Sequence, residues 1–381
     1  MIHGIGGLEI YVQTLCKLLA EKGHEVHIIC TPIRGMSDRR VNGVWMHPTR
    51  QPTILDHIYV LQNLSLLMFE VLAFIKFLRL NKRYNFHLVH IHGSGLFSFA
   101  ISKKLGLHSK KFVYTEHGGT ITAYEGLRKI KSSFIRRLLI TFFYRFYAIP
   151  LTLFSLKYAD AVIVTSMRTK NSTIHFFSVP RKKLFFIIDA ASESVGHPCF
   201  SRVPIFLCIG RLVKLKNVEA IIKAFRYVNN IYPKAKLYIV GDGSERRNLE
   251  TLTASLNLKN NIFFTGFIPA NDLQHLYNSA LAVLIPSLHE GVSNVLPEAL
   301  SCGTPVIATR ESGAEDVITD GKEGFVVDGE NPQEFANKIL WMLSNHGMVK
   351  KMIKQAYVRS HDFSWTKNVE YHIELYRKLL Q

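Results

Sequence analysis

The chain has 381 residues, 48% of them hydrophobic, with 47 Lys/Arg against 29 Asp/Glu and a formal net charge of +18. That length exceeds one compact core, so two domains are expected, and the composition excludes a low-complexity or disordered chain. The five cysteines (Cys16, Cys30, Cys199, Cys208 and Cys302) form no CxxC pair and no Cys/His cluster of zinc spacing, which points to free thiols in a reducing compartment.

The N-terminal half opens with a helix over 7–23 and the strand "EVHIIC" at 25–30. A doubly wound domain normally begins with a strand before its first glycine loop. Here "MIHGIGGLE" starts almost at the loop, so that strand is short or missing. Residues 60–83 read as an apolar helix with a basic end. The segments 86–93 and 111–118 are strands ending at glycine, 160–166 is another, and 183–190 closes the half.

Before that third strand, residues 127–160 mix Arg and Lys with Phe, Tyr and Leu, and Ile149-Pro150 interrupts the helical pattern. Charges break every apolar run, so no membrane span is expected. A basic aromatic helix lying in a membrane interface and a core helix of the domain both fit. Residues 1–185 hold 26 Lys/Arg against 9 Asp/Glu, whereas the remainder is nearly neutral. Such asymmetry favours an anionic partner, and an anionic membrane surface is the expected one. No nucleic-acid partner is expected, because no binding motif accompanies the basic residues.

The C-terminal half alternates regularly. Strands at 203–212, 235–243, 261–267, 281–287, 304–309 and 323–328 are separated by helical patterns at 217–232, 244–258, 271–280 and 294–303, with a short helix or turn at 313–321. Ser244 is placed to cap the second of these helices. This alternation predicts an α/β fold, a doubly wound parallel sheet covered on both faces. The tail 361–381 has helical periodicity.

The segment "PSLHEGVSNVLPEALSCGTPVIAT" (286–309) carries Glu290 and Glu298 between two strands. Ligands bind such sheets at the carboxyl ends of the strands. The helix start from Gly291 to Val295 offers free N–H groups that favour a phosphate, Gly291 permits close approach, and Ser293 or Asn294 can cap. Carboxylates would repel phosphate but can hold vicinal hydroxyls. Arg211 and Lys216 in "GRLVKLKN" (210–217) supply compensating charge at the same sheet edge. Taken singly, these residues also suit a solvated helix start, a surface basic pair and, for His117, a satisfied core histidine.

Glu290–Glu298 resembles an E-x7-E motif and "GRLVKLK" a G-R-L-x-x-x-K motif. With "GG-x-E" at Gly6, Gly7 and Glu9, "TEHGG" (115–119), "ADAVIVTS" (159–166), "IVGDG" (239–243) and "FSW" (363–365), the ordered set resembles glycosyltransferase family 4 over nearly the whole chain. The resemblance implies a GT-B fold of two facing Rossmann-like domains. They would comprise an acceptor domain over 1–190, a nucleotide-sugar donor domain over 200–360, and a helix at 361–381 packing back on the first. It implies a retaining hexosyl transfer from a UDP- or GDP-linked sugar to a hydroxyl of a glycolipid, polysaccharide or glycan precursor.

The roles it implies are as follows. Arg211 and Lys216 bind the diphosphate and stabilise the leaving group. Glu290 contacts the sugar, and Glu298 holds the ribose. Gly291, Val292 and Ser293 lend N–H groups. Gly6 and Gly7 approach the diphosphate, His117 meets the sugar, and Ile268 within "GFI" meets the base. Catalysis would rest on Glu290, His117, Arg211 and Lys216, with no cofactor and no metal. No Asp-x-Asp is present to hold one.

Two departures stand out. "IIDAASES" (187–194) replaces the family's Asn-Gly-containing hinge segment, and Val292 replaces its phenylalanine. Val292 leaves the sugar preference open, the hinge segment and the short start keep open an inactive nucleotide-sugar-binding homologue or scaffold, and a GT-B epimerase remains a further alternative. A cytoplasmic enzyme, peripheral on the inner face of the cell membrane, is the leading expectation.

Overall fold

In the computed structural model of the chain, the described residues are 7–31, 37–49, 59–93, 96–117, 138, 141–191, 198–200, 202–329 and 331–381. They fall into two compact units, the first containing 7–117, 138–187 and 368–381, the second 188–367.

In the first unit β1 (His27–Cys30), β2 (Arg39–Val41) and β3 (Val44–Pro48) form a sheet in the order β1-β3-β2. Asn42 and Gly43 join β2 to β3 with φ of 48° and 81°. A two-residue hairpin turn that matches strand twist needs positive φ at both positions, which Asn-Gly supplies at little cost. A second sheet, parallel throughout, runs β4 (Leu88–His92), β5 (Lys111–Glu116), β6 (Ala161–Val164) and β7 (Leu184–Phe186) in that order. All four residues of β6, "AVIV", are fully buried, because both faces of this strand are covered.

Among the described residues the helices of the unit are α1 (Gly7–Glu21), α2 (Tyr59–Tyr84), α3 (Leu96–Lys104), α4 (Ile149–Tyr158) and α5 (Met167–Phe177). Ile149-Pro150 does not break the helical path. The chain takes a π turn over Tyr144–Ala148, closed by the Ile149 N–H on the Tyr144 carbonyl, and Pro150 sits in the first turn of α4. The wider turn removes the contact between the proline ring and the preceding carbonyls that a regular α-helix would impose.

In the second unit β8 (Val203–Ile209), β9 (Lys236–Val240), β10 (Ile262–Gly266), β11 (Ala280–Ile285), β12 (Val306–Thr309) and β13 (Gly324–Val327) form one parallel sheet in the order β10-β9-β8-β11-β12-β13. The helices are α6 (Val218–Ile231), α7 (Arg246–Ser255), α8 (Ala270–Ser279), α9 (Val295–Ser301), α10 (Ala314–Val317), α11 (Pro332–Ser344) and α12 (His346–Ser360); α13 (Trp365–Leu380) runs on into the first unit.

Alternate strand residues go to opposite faces of the sheet. Phe206, Leu237, Ala282, Leu284 and Ile307 pack with α6 residues Ile221, Ile222 and Phe225. Leu207, Val283, Ile285, Val306 and Ala308 pack with Leu296, Ala299 and Leu300 of α9. Each large side chain fully buried in these layers contributes about 1.5–3 kcal/mol. The helix expected from Ser244 begins instead at Arg246, with no side-chain cap, so Ser244 lies in the preceding turn.

Strand order reverses between β8 and β11. From β8 the chain proceeds outward to β9 and β10; from β11 it proceeds the other way to β12 and β13. The two loops that leave the carboxyl ends of β8 and β11 therefore diverge and open a crevice.

Candidate active site

The crevice holds a small recess lined by Gly210, Arg211, Lys216, Ile285, Pro286 and Ser287. Gly210 follows β8 with φ 148°, and Gly241, just after β9, packs so closely that a Cβ there would lie 2.0 Å from the Gly210 carbonyl oxygen. After the exposed Arg211 the chain makes a single 3-10 turn over Lys214–Lys216. That turn brings the Lys216 stem back over Gly210, 3.6 Å from where a Cβ would stand.

The β11–α9 loop is fixed from two sides. The Leu288 N–H donates to the Leu215 carbonyl at 2.9 Å, tying it to the lysine turn. The Glu290 and Ser293 N–H groups donate to Glu311 and Ser312 carbonyls, each at 2.9 Å, tying it to the loop after β12. Gly313, at φ 78°, allows this contact, since a Cβ there would lie 2.2 Å from the Gly291 carbonyl oxygen.

These ties bring Lys216 Nζ onto Glu290 Oε1. Burial first, and then the like charge of Arg211, pull the Lys216 ammonium below its ordinary range; the carboxylate beside it acts the other way. Glu290 Oε2 is buried and finds no hydrogen-bond partner among the described residues. A buried carboxylate oxygen left open beside a crevice is costly in the free protein and available to a hydroxyl.

Ser293 does not serve as expected. Its N–H is committed to Ser312, it is buried, and neither it nor Asn294 makes a side-chain cap. The N–H groups of Gly291, Val292 and Asn294 make no hydrogen bond among the described residues, and those of Gly291 and Val292 directly follow Glu290.

Glu298, in α9, has a different partner. Its Oε2 accepts from the Tyr277 hydroxyl of α8 at 2.8 Å. Burial pushes its carboxyl up, and the tyrosine bond opposes that push. Ile268 follows the edge strand β10, where the Gly266 carbonyl accepts from the Gly241 N–H at 2.8 Å.

In the first unit Gly6 lies outside the described residues, and Gly7 starts α1 rather than lying in a loop. His117 follows the carboxyl end of β5, and its Nε2 is 2.9 Å from Nδ1 of His92 at the end of β4. His90, Tyr11 and His372 pack around this pair. Sequence reasoning singled out His117 alone. The alternation in "HIHG" (90–93) was a usable signal, because residues two apart on a strand share a face. Among the described residues no group of three His, Cys, Asp or Glu is placed to hold a metal ion.

Two family descriptions match successive parts of the chain, Glycosyltransferase Family 4 over residues 5–187 and Glycosyl transferases group 1 over residues 192–359. The chain is a family 4-like glycosyltransferase of the GT-B fold. The sucrose-phosphate synthase of Thermosynechococcus elongatus has a similar structure, with a TM-score of 0.82 at 22% identity over 98% of this chain and 94% of that one. Anabaena Alr3699/HepE, crystallised with UDP-glucose, has a TM-score of 0.71 at 17% identity over 98% of this glycosyltransferase and 97% of its own chain. By sequence, a D-inositol 3-phosphate glycosyltransferase from Corynebacterium urealyticum is 31% identical over 198 residues, 50% of this chain and 46% of that protein. That match thus spans about half of each.

Proposed function

We propose that this glycosyltransferase takes a nucleotide-diphosphate sugar, UDP- or GDP-linked, and transfers the sugar with retention to a hydroxyl of a glycolipid, polysaccharide or glycan precursor. The observation that carries the reading is the Lys216–Glu290 pair beside the recess that Arg211 and Lys216 line at the strand-order reversal, followed in sequence by Gly291 and Val292, whose N–H groups make no hydrogen bond among the described residues. A dianionic diphosphate fits two cations and two amide dipoles, and a sugar hydroxyl fits the unpartnered Glu290 Oε2.

In this reading Lys216 exchanges Glu290 for phosphate oxygens when the donor enters. Arg211, Lys216 and the amides then stabilise the negative charge that grows on the leaving diphosphate, in place of a metal ion. Same-face attack assisted by the departing phosphate accounts for retention without a protein nucleophile. Glu298 accepts from ribose hydroxyls, and the backbone around Ile268 meets the base. For His117 we assign a bond to a sugar hydroxyl or stabilisation of charge. That UDP-glucose is bound by the structurally similar Anabaena protein supports a nucleotide-sugar donor.

Peripheral association with an anionic membrane completes the proposal. Met68, Val71, Leu72 and Ile75 of α2 are exposed at helical spacing, followed by exposed Arg79, Lys82 and Arg83. Phe142, Phe146 and Leu153 are exposed beside Arg145 and Lys157. Among the described residues no helix is long and apolar enough to cross a membrane.

A thermal-shift panel of UDP, GDP, their sugars and adenine counterparts tests the donor. Stabilisation by one base series, followed by NMR of a product with retained anomeric configuration, is the expected outcome. No stabilisation by any nucleotide diphosphate contradicts the proposal, and binding without transfer to any acceptor identifies an inactive homologue.

A further inference from the structure

The parallel strands β4 to β7 all start at one edge of their sheet, and the segments that lead into them are basic. Lys82 and Arg83 lead into β4, Lys104 and Lys110 into β5, and Arg181 and Lys182 into β7. Asp160, just before β6, is the one carboxylate in these segments. Side-chain bonds tie the segments into a single surface. Lys110 Nζ donates to Asn85 Oδ1 at 2.8 Å, joining the α3–β5 loop to the α2–β4 turn. Lys103 pairs with Asp160, whose Oδ2 also accepts from the Phe112 N–H at 2.9 Å. Lys183 Nζ donates to the Ala159 carbonyl at 2.8 Å, joining the start of β7 to the end of α4. One carboxylate thus stands against a row of cations, and their mutual repulsion is relieved by an anionic partner.

The α3–β5 loop adds apolar tips to this edge. α3 closes in a glycine cap: Gly106, at φ 69°, donates to the Lys103 carbonyl at 3.1 Å, and the Leu107 N–H donates to the Ser102 carbonyl at 2.9 Å. After such a cap an apolar residue commonly packs back on the helix. Leu107 is instead 59% exposed, Leu105 is 65% exposed, and a Cβ on Gly106 between them would meet nothing within 4 Å. Two leucines therefore stand out from a backbone fixed by hydrogen bonds, inside the run "KKLGLHSKK" (103–111). The negative end of a helix dipole accounts for lysines at the last turn of α3 and for Lys82 and Arg83 at that of α2. It accounts neither for Lys110, Lys111, Arg181 and Lys182, which lie past the helix ends, nor for the exposed leucines.

We propose that this amino-terminal edge of the β4–β7 sheet docks on an anionic phospholipid surface, with Leu105 and Leu107 entering the acyl boundary and the flanking cations lying against the headgroups. The proposal rests on the membrane association argued above and adds the edge and the loop that make the contact. Charge complementarity calls for an anionic occupant. The leucines select lipid among anions, because a soluble polyanion offers them no hydrocarbon. α2, with its exposed apolar side chains, ends at the same edge. The carboxyl ends of the strands, with His117 after β5, lie at the opposite edge, so docking leaves them uncovered.

The test is co-sedimentation of the full chain with vesicles of phosphatidylglycerol and phosphatidylcholine at about 0.1 M salt. Leu105→Ser/Leu107→Ser and Lys104→Glu/Lys182→Glu should each weaken binding by about 10-fold or more. Ile231→Ser, a control at a residue 69% exposed in the second unit, should leave it unchanged. Leu107→Trp should gain fluorescence that vesicles with brominated acyl chains quench, beyond any quenching in wild type. Wild-type binding that the serine pair leaves intact, with Leu107→Trp unquenched, overturns the proposal and leaves the association standing through another surface. Equal binding of soluble polyphosphate, lost in the glutamate pair and kept in the serine pair, overturns it in favour of a soluble polyanion. Absence of vesicle binding by wild type removes the association itself, and the proposal with it.

Discussion

The Tyr277 hydroxyl donates to Glu298 Oε2 at 2.8 Å, joining α8 to α9 behind the crevice loop. Tyr277 is 3% exposed, so its hydroxyl has no water to turn to if the carboxylate is removed. One oxygen of Glu298 is thus spoken for by the protein, which orients the other. Tyr277→Phe leaves the carboxylate with one bond fewer in a buried setting and should cost about 1–3 kcal/mol. Urea denaturation measures it, and a change within error would mean that the bond does not contribute.

Glu298 gives a pH signature. Its folded-state carboxyl is raised by burial. For an acid raised on folding, the unfolded chain ionises first, so stability is lost as pH climbs from the ordinary glutamate range to the raised folded value. Glu298→Gln abolishes that loss. The variant should melt above wild type at pH 7.5, with the gap closing toward pH 4. The same substitution should weaken nucleotide-diphosphate binding by roughly 10-fold or more, the loss of a charged acceptor for hydroxyls. Lower Tm at pH 7.5 would contradict the assigned burial effect.

Lys216 and Glu290 separate stability from function. Lys216→Met leaves Glu290, whose side chain is 18% exposed, without its cation, and should destabilise by about 1–3 kcal/mol. Adding Glu290→Gln removes the stranded charge and should recover most of the stability without restoring nucleotide binding. Recovery of binding in the double variant would show that Lys216 acts only through Glu290.

Gly313 and Gly321 make a matched pair, both at φ 78°. A Cβ at Gly321 meets nothing within 4 Å, whereas one at Gly313 lies 2.2 Å from the Gly291 carbonyl oxygen. Gly321→Ala should cost only the left-handed backbone penalty of about 1–2 kcal/mol. Gly313→Ala must also push the Glu290–Ser293 loop away, and should lose nucleotide binding along with more stability. Equal effects in calorimetry and titration would mean that the loop does not depend on this contact.

Membrane association is tested by co-sedimentation with vesicles containing phosphatidylglycerol. Binding should weaken as salt rises from about 0.1 M to 1 M, where the screening length falls from about 10 Å to 3 Å. Phe142→Ser/Phe146→Ser should weaken it at low salt. Absence of binding by wild type at low salt rejects the association and leaves the donor site untouched.

Regular alternation made the second unit legible. Six strands and the helices between them follow from residue pattern, because every central strand is apolar on both faces and every loop carries glycine or polar residues. The hairpin at Val41–Val44 was not read from the sequence: Asn42-Gly43 is a turn signal, but the strands are short and β2 is wholly exposed, so hydrophobic pattern gave it no weight. The Lys216–Glu290 pair was beyond sequence reach. The two residues are 74 apart, and they meet because β8 and β11 are neighbours, which is a property of strand order. Ser293 was misread for the same reason. Its N–H looks free at a helix start, but its acceptor, the Ser312 carbonyl, comes from the loop after the next strand. In the first unit the histidine group needed the β4–β5 register before its members could be seen as neighbours.

The most direct test of the donor site is isothermal titration of wild type, Arg211→Ala and Lys216→Ala with UDP and with GDP. Binding of one nucleotide diphosphate by wild type, weakened at least 10-fold in each variant, is the predicted result. Equal affinity in all three proteins would place the diphosphate elsewhere and contradict the account.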